Sequence, residues 1–310
     1  MIVSASYRTD IPAFYGRWFL NRFRAGWAKV ANPYYGRQVS TIPLRAGVDG
    51  FVFWTRNVGP FTEALAEIRR VGLPFVVQYT VTGYPRVLES AVVDAERSIA
   101  LIRDLAATHG PRAVVWRYDP ILVTSVTPVE WHEANFARLA GELAGAVDEV
   151  SVSFATLYRK TERNLAAAAR SRHFSWSDPP AEIKRSLMRR LAELAAERGM
   201  ALTVCSQPDS LVAGAEAARC VDARRLENVA AGWGTPRAVK ARLKGNRPGC
   251  LCYESRDIGE YDTCPHGCTY CYAVNTRTVA KHRFAAHDPE SEFLFSPPGA
   301  TAAESSPGLL

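Results

Sequence analysis

Hydrophobic positions along the chain follow two alternating periods. Short β-branched and aromatic runs, IVSAS (2–6), FVFWT (51–55), FVVQYTV (75–81), VVWRY (114–118), VSVSF (150–154) and LTVCS (202–206), read as six strands. Between them apolar residues recur every three or four positions: Phe61, Leu65 and Ile68; Ile99, Ile102 and Leu105; Phe136, Leu139 and Leu143; Ile183, Leu187, Leu191 and Leu194. That spacing predicts amphipathic helices. Nearly continuous apolar strands separated by such helices predict a parallel sheet covered by helices. The Rossmann glycine fingerprint and the P-loop are both absent. The pattern therefore favours an α/β fold built as a TIM-like parallel barrel, whole or partial, of about six βα units. Two further extended pieces are expected in the long connection from 7 to 50, around residues 28–30 and 38–44.

This reading divides the chain into a βα barrel domain over 1–235 and a cysteine-rich, cluster-binding segment over 236–295 packed on it. The stretch 296–310, rich in Pro, Gly, Ser and Ala, is expected to be a disordered tail.

In parallel barrels the reactive face lies at the carboxyl ends of the strands. Those ends carry Arg8, Thr9 and Asp10; Thr55, Arg56 and Asn57; Gln78 and Thr80; Arg117 and Asp119; Ser153; and Cys205 and Gln207. Polar side chains collecting at one end of apolar strands imply a lined cavity. Structural readings stand beside the functional one. Asp10 suits a helix N-cap with Pro12 in the first turn, Arg117 and Asp119 suit an internal pair, and Trp54 and Trp116 suit core packing.

Composition adds little to the fold and more to the compartment. Hydrophobic residues make up 47% and charged residues 22%, ordinary for a globular chain. The opening MIVSASYRTD has no basic stretch ahead of an apolar run, and no segment is apolar for long enough to span a bilayer. A cytoplasmic protein away from membranes is expected. In that reducing setting an odd set of seven cysteines is not a disulfide framework, and clustered thiols more often bind metal. The net charge of +7, from 38 Lys+Arg against 31 Asp+Glu, is compatible with an anionic substrate or nucleic acid. No aromatic-and-basic repeat supports the latter. Arg237, Lys240, Arg242, Lys244 and Arg247 form a basic run expected as a solvated helix face, with anion binding as the alternative.

The densest chemistry is CPHGCTYCY (264–272). Cys264, Cys268 and Cys271 supply three thiols from one tight loop, which Gly267 lets bend and Pro265 restricts. An iron–sulfur cluster held by three thiolates keeps one iron open to a small ligand. Zinc is the alternative, with Cys268 and Cys271 joined by Cys250 and Cys252, or with His266 as a fourth ligand. The remaining thiols, Cys205, Cys220, Cys250 and Cys252, number four, enough for a second, fully ligated cluster. Cys205 and Cys220 also suit small buried hydrophobes.

CPHGCTYCY resembles the C-x-x-x-C-x-aromatic-C signature of radical S-adenosylmethionine (SAM) enzymes. The resemblance implies a 4Fe–4S cluster on Cys264, Cys268 and Cys271, SAM on the open iron, and Tyr270 on the adenine side. It also implies a partial or full βα barrel. In most of that superfamily the motif follows the first strand; here RTDIPAFY stands there and TRNVGP follows the second strand. The whole arrangement is similar to the family called domain of unknown function 1848. That likeness is carried by SASYRTDIPAFYGRWF, VDGFVFWTRN, TGYP, WRYDP and IGEYDTCPHGCTYCYA. Arg8, Asp10, Arg117 and Asp119 are then the candidates for binding SAM or substrate, with Thr55, Arg56, Asn57 and Gln78 as further cofactor contacts. The expected partners are a small-molecule or modified-biopolymer substrate and a reductant such as flavodoxin or ferredoxin. An iron–sulfur redox protein without SAM chemistry, and a zinc-stabilised nucleic-acid-binding protein, are the alternatives.

Overall fold

A computed structural model describes residues 1–33 and 38–296. The tail expected from 296 falls, from 297 onward, outside the described residues. The strands are β1 (Ile2–Ala5), β2 (Trp27–Ala31), β3 (Val39–Pro43), β4 (Gly50–Thr55), β5 (Phe75–Thr80), β6 (Val114–Ile121), β7 (Glu149–Phe154), β8 (Ala201–Val204), β9 (Ala215–Ala217) and β10 (Ser255–Asp257). Eight of them form one sheet in the order β10-β1-β4-β5-β6-β7-β8-β9, with every neighbouring pair parallel. The two extended pieces expected near 28–30 and 38–44 are β2 and β3, paired as an antiparallel ribbon.

The six apolar runs are all strands of this sheet, and the α/β expectation holds. The count of six does not. The sheet gains β9 and β10 at its two edges, and β10 comes from the cysteine-rich segment. Among the described residues no pairing joins β9 to β10, so no closed barrel is seen.

The four expected helices form as Thr62–Arg70, Ala95–His109, Val129–Leu143 and Ala181–Ala196. Ile183 departs from the pattern: it is exposed, while Leu187, Leu191 and Leu194 are buried. Helices Gly16–Ala25, Arg159–Arg172, Ala223–Gly232 and Arg277–Ala285, and the single turn Ile11–Phe14, complete the set. The basic run 237–247 is not helical. The chain there is irregular, and Arg237 turns inward to donate to the carbonyls of Gly72 and Val48, both at 3.2 Å.

Alternation along the strands gives the sheet two unlike faces. Phe53, Tyr79, Trp116 and Tyr118 face the helices. Phe53 meets Phe61 at 4.9 Å between ring centroids, and Trp116 stacks on Phe136 at 4.9 Å. The Trp116 indole donates to Val81 O at 2.9 Å, so it is a core residue, as expected. The opposite face carries Ser4, Trp54, Gln78, Arg117 and Ser151. It is concave, because Gln78 on β5 reaches across three intervening strands to donate to Cys220 O at 2.9 Å. At the amino ends of the strands, Arg225 of helix Ala223–Gly232 donates to Val114 O at 3.0 Å and pairs with Asp148 at 2.5 Å and Glu149 at 2.8 Å. That helix covers the amino end and leaves chemistry to the carboxyl end.

His132, fully buried on helix Val129–Leu143, contacts the Tyr118 hydroxyl through Nδ1 at 2.9 Å and Leu122 O through Nε2 at 3.1 Å. Burial pushes its pKa down from 6.5 to about 4. The unfolded chain takes up this proton below pH 6.5 while the folded one resists until about pH 4, so stability falls as the pH drops through that window. The contribution is on the order of 3 kcal/mol. Urea unfolding at pH 7 and pH 5 should show the loss, with a shallower acid dependence in His132→Gln; an unchanged dependence in the variant would refute this assignment.

Candidate thiol site at the carboxyl end of the sheet

The chain enters the cysteine loop directly from β10. Ile258 N bonds Ser4 O at 3.0 Å, which continues the β10–β1 pairing. The loop is then pinned to the strand ends at several points. The Tyr15 hydroxyl donates to Thr263 O at 2.6 Å, Ala91 N donates to His266 O at 3.0 Å, and Thr269 N donates to Leu88 O at 3.0 Å. The Tyr272 hydroxyl donates to Tyr7 O. Gly267 is required here for two reasons. Its φ of +75° is in the left-handed region, and a Cβ would fall 2.4 Å from Ser90 Oγ and 2.7 Å from Arg277 Cδ.

Cys264, Cys268 and Cys271 are free, half-buried thiols on this loop. Burial first, and then the neighbouring acids and thiols, push Cys264 well up and Cys268 up to about 12. Burial also raises Cys271, against the pull of backbone N–H groups of Ala273 and Val274. The nearby Arg56 guanidinium favours the thiolate at Cys268 and Cys271. The donor set fits a soft, thiophilic metal group: three sulfurs from one loop, backbone N–H groups directed at them, and a guanidinium beside them. Among the described residues no group of three or more His, Cys, Asp or Glu side chains stands, as placed, ready to hold a metal ion.

Two buried carboxylates hold the loop. Asp10 caps the turn Ile11–Phe14 by accepting from Ala13 N at 3.0 Å, with Pro12 in the first turn, so the capping reading is correct. The same carboxylate accepts from Thr55 Oγ1 at 2.7 Å, Arg56 N at 2.8 Å and His266 Nε2 at 2.8 Å. His266 is therefore held from one side, and its buried Nδ1 has no hydrogen-bond partner among the described residues. The second carboxylate is Glu89. It pairs with Arg56 at 2.8 Å and accepts from Thr82 Oγ1 at 2.7 Å and from the Tyr270 hydroxyl. Arg56 also donates to the Tyr270 hydroxyl at 2.7 Å. A cleft of about 170 Å³ opens beside Arg56, Glu89, Thr82 and Arg138.

The remaining candidates divide. Arg8 is locked to Asp257 through Nε at 2.9 Å and to its carbonyl at 3.1 Å. Asp257 also accepts from Ser6 Oγ at 2.7 Å and Gly259 N at 2.9 Å. Arg117 pairs with Asp119 at 2.5 Å and lies over the half-buried Trp54 ring at 5.0 Å, while Asp119 also accepts from Ser153 Oγ. Gln78 braces the concave face, and Asn57 closes a turn by accepting from Gly59 N at 3.1 Å. Sequence reading missed Glu89 and Asp257. Glu89 sits in an irregular loop and Asp257 in a three-residue strand, and neither has a motif around it. The one available signal was an acid within the largely apolar VLESAVV.

A second group of thiols forms elsewhere. Cys220 Sγ lies 3.5 Å from Cys205 Sγ and also contacts Cys252, which in turn contacts Cys250. Cys250 and Cys252 thus lie with Cys220 and Cys205 and not with Cys268 and Cys271, the pair that one of the zinc readings had grouped them with.

A family model described as Domain of unknown function (DUF1848) matches residues 2–273, which includes all seven cysteines. No curated protein and no solved structure matches the chain.

Glu89→Ala should cost about 3 kcal/mol or more, because it strands the buried Arg56 charge. Glu89→Gln, which keeps an acceptor, should cost less. Urea denaturation with an unchanged m-value reads both, and equal stability of Glu89→Ala and wild type would show that the pair is inert.

Proposed function

The chain belongs to that family, whose description assigns no reaction, and from this premise we propose a radical SAM-type iron–sulfur enzyme. The observation that carries the reading is the position of the thiol loop. Cys264, Cys268 and Cys271 lie on a loop pinned across the carboxyl ends of a parallel, inward-curling sheet with a polar concave face. That arrangement suits a partial barrel with its reactive group over the mouth. The three thiols would hold a 4Fe–4S cluster. When bound, the cluster would supply an electron for reductive cleavage of SAM, giving methionine and a 5′-deoxyadenosyl radical that abstracts hydrogen from substrate.

The chain's own residues position, screen and exclude water. Arg56, held by Glu89 and Tyr270, offsets negative charge beside the sulfurs and keeps Tyr270 oriented. Asp10 fixes His266, and with it the first half of the loop. Of the four candidates for binding SAM or substrate, Asp119 keeps the most exposure, its side chain being 19% accessible against 5% for Arg117 and 6% for Arg8. Asp119 is therefore the group offered to a ligand, and Arg8, Arg117 and the buried Ser153 shape the wall behind it. The substrate class is a small molecule or a modified biopolymer, the electron donor a flavodoxin or ferredoxin, and the setting the cytoplasm. Among the described residues no helix is long and apolar enough to cross a membrane.

Anaerobic reconstitution with iron and sulfide should give a reduced cluster whose EPR signal changes on adding SAM, with deoxyadenosine released under reduction. The triple variant Cys264→Ala, Cys268→Ala, Cys271→Ala should lose both. A cluster that ignores SAM and releases no deoxyadenosine would leave an iron–sulfur redox protein instead.

A further inference from the structure

Apart from the loop at the mouth, four thiols meet where the sheet fails to close. Cys220 follows β9 by three residues and Cys252 precedes β10 by three. The backbone joins these two segments directly: Tyr253 N donates to Val221 O at 2.9 Å, and Val221 N donates to Cys252 Sγ at 3.4 Å. Cys205 comes from the end of β8, and Cys250 from the loop carrying the basic run. Cys220 Sγ lies 3.5 Å from Cys205 Sγ, with Cys252 beside Cys220 and Cys250 beside Cys252.

We infer that Cys205, Cys220, Cys250 and Cys252 form a mononuclear tetrathiolate site for a divalent zinc-type cation, which clamps the two unpaired edges of the sheet together.

Three observations carry this. The first is spacing. Four sulfurs around one ion at about 2.3 Å stand roughly 3.8 Å apart in a tetrahedron. The Cys205–Cys220 separation of 3.5 Å is close to that value. The ligands of a 4Fe–4S cluster each bind a different iron and stand much further apart, so the spacing argues against the second cluster suggested by the cysteine count. The second is charge. A dication with four thiolates carries a net charge of −2, and two guanidinium groups already face the sulfurs. Arg117 Nη1 is 3.1 Å from Cys220 Sγ and Arg247 Nη2 is 3.6 Å from Cys205 Sγ. The third is backbone support. The Val221 N–H is directed at Cys252 Sγ, and the N–H groups of Asn246 and Cys252 at Cys250. Hydrogen bonds to ligating groups hold a metal site in shape and tune its affinity. As placed, the thiols lie in a row instead of converging on a point. Sulfur–sulfur hydrogen bonding in the metal-free state accounts for that row, and convergence on one point would come with the ion.

This assignment stands apart from the radical SAM reading, and the test keeps them separate. Full-length protein, reduced, anaerobic and metal-free, is titrated with cobalt(II), whose visible and thiolate-to-metal absorption reports tetrahedral sulfur ligation. The triple variant at 264, 268 and 271 should still bind one equivalent with the tetrathiolate spectrum, and zinc(II) should displace it. Cys250→Ser, at a half-buried position with little burden on folding, should weaken binding at least tenfold, and Arg247→Gln about tenfold. Chelation should lower the thermal midpoint of wild type but not of Cys250→Ser. Absence of cobalt uptake by the triple variant, or uptake unaffected by Cys250→Ser, would overturn the assignment. So would assembly of a 4Fe–4S cluster on these four thiols during iron–sulfide reconstitution.

Discussion

The carboxylate of Asp10 is the constraint on which the mouth of this molecule depends. It is buried, and its two oxygens accept four hydrogen bonds: from the first turn of the chain, from both a side chain and a backbone amide at the end of β4, and from His266 in the cysteine loop. A buried carboxylate is tolerated only when its lone pairs are satisfied. Here the groups satisfying it come from parts of the chain as far apart as Thr55 and His266. The same residue is thus a helix cap, a strand clamp and the mooring of the thiol loop. Glu89 repeats the arrangement from the other side, tying Arg56 to Tyr270.

These anchors matter because the sheet has unlike faces. The helix-facing side is aromatic and closely packed. The concave side carries Gln78, Arg117, Ser151 and Asp119, whose polar groups satisfy one another and the thiols at the sheet's edge. A polar interior costs stability unless it is paired. Internal partners hold Arg117 and Gln78, so they support the structure more than they offer themselves to a ligand. The two thiol groups then have separate settings. One lies on a loop over the mouth beside a guanidinium, the other at the seam between β9 and β10.

How far the site could be read in advance depended on whether each residue's role is local. The N-cap of Asp10 was legible, because capping needs only the residues that follow it. Its bond to His266 was not, because nothing in either neighbourhood encodes the other. Arg117 and Asp119, two residues apart on a strand, were legible as a pair; Arg8 and Asp257, separated by 249 positions, were not. The triplet of cysteines declared itself by spacing. The four remaining thiols could be counted but not grouped with assurance, since Cys205, Cys220 and the Cys250–Cys252 pair lie on separate segments.

What the sequence determined by itself was the α/β class, the six central strands and four of the covering helices. Burial on both faces forces apolar runs in a strand, and burial on one face forces helical spacing, so these elements are encoded in local pattern. What only the tertiary structure decided was the pair of strands at the sheet's edges and the partners of its polar groups. β9 (AEA) and β10 (SRD) are short and polar, and they are strands only because a neighbouring edge offers hydrogen bonds. The same holds for Glu89, Asp257 and the thiols at the seam. Hydrophobic burial is non-directional and leaves its mark along the chain, whereas a hydrogen bond or a ligand set exists only where folding brings particular atoms within reach.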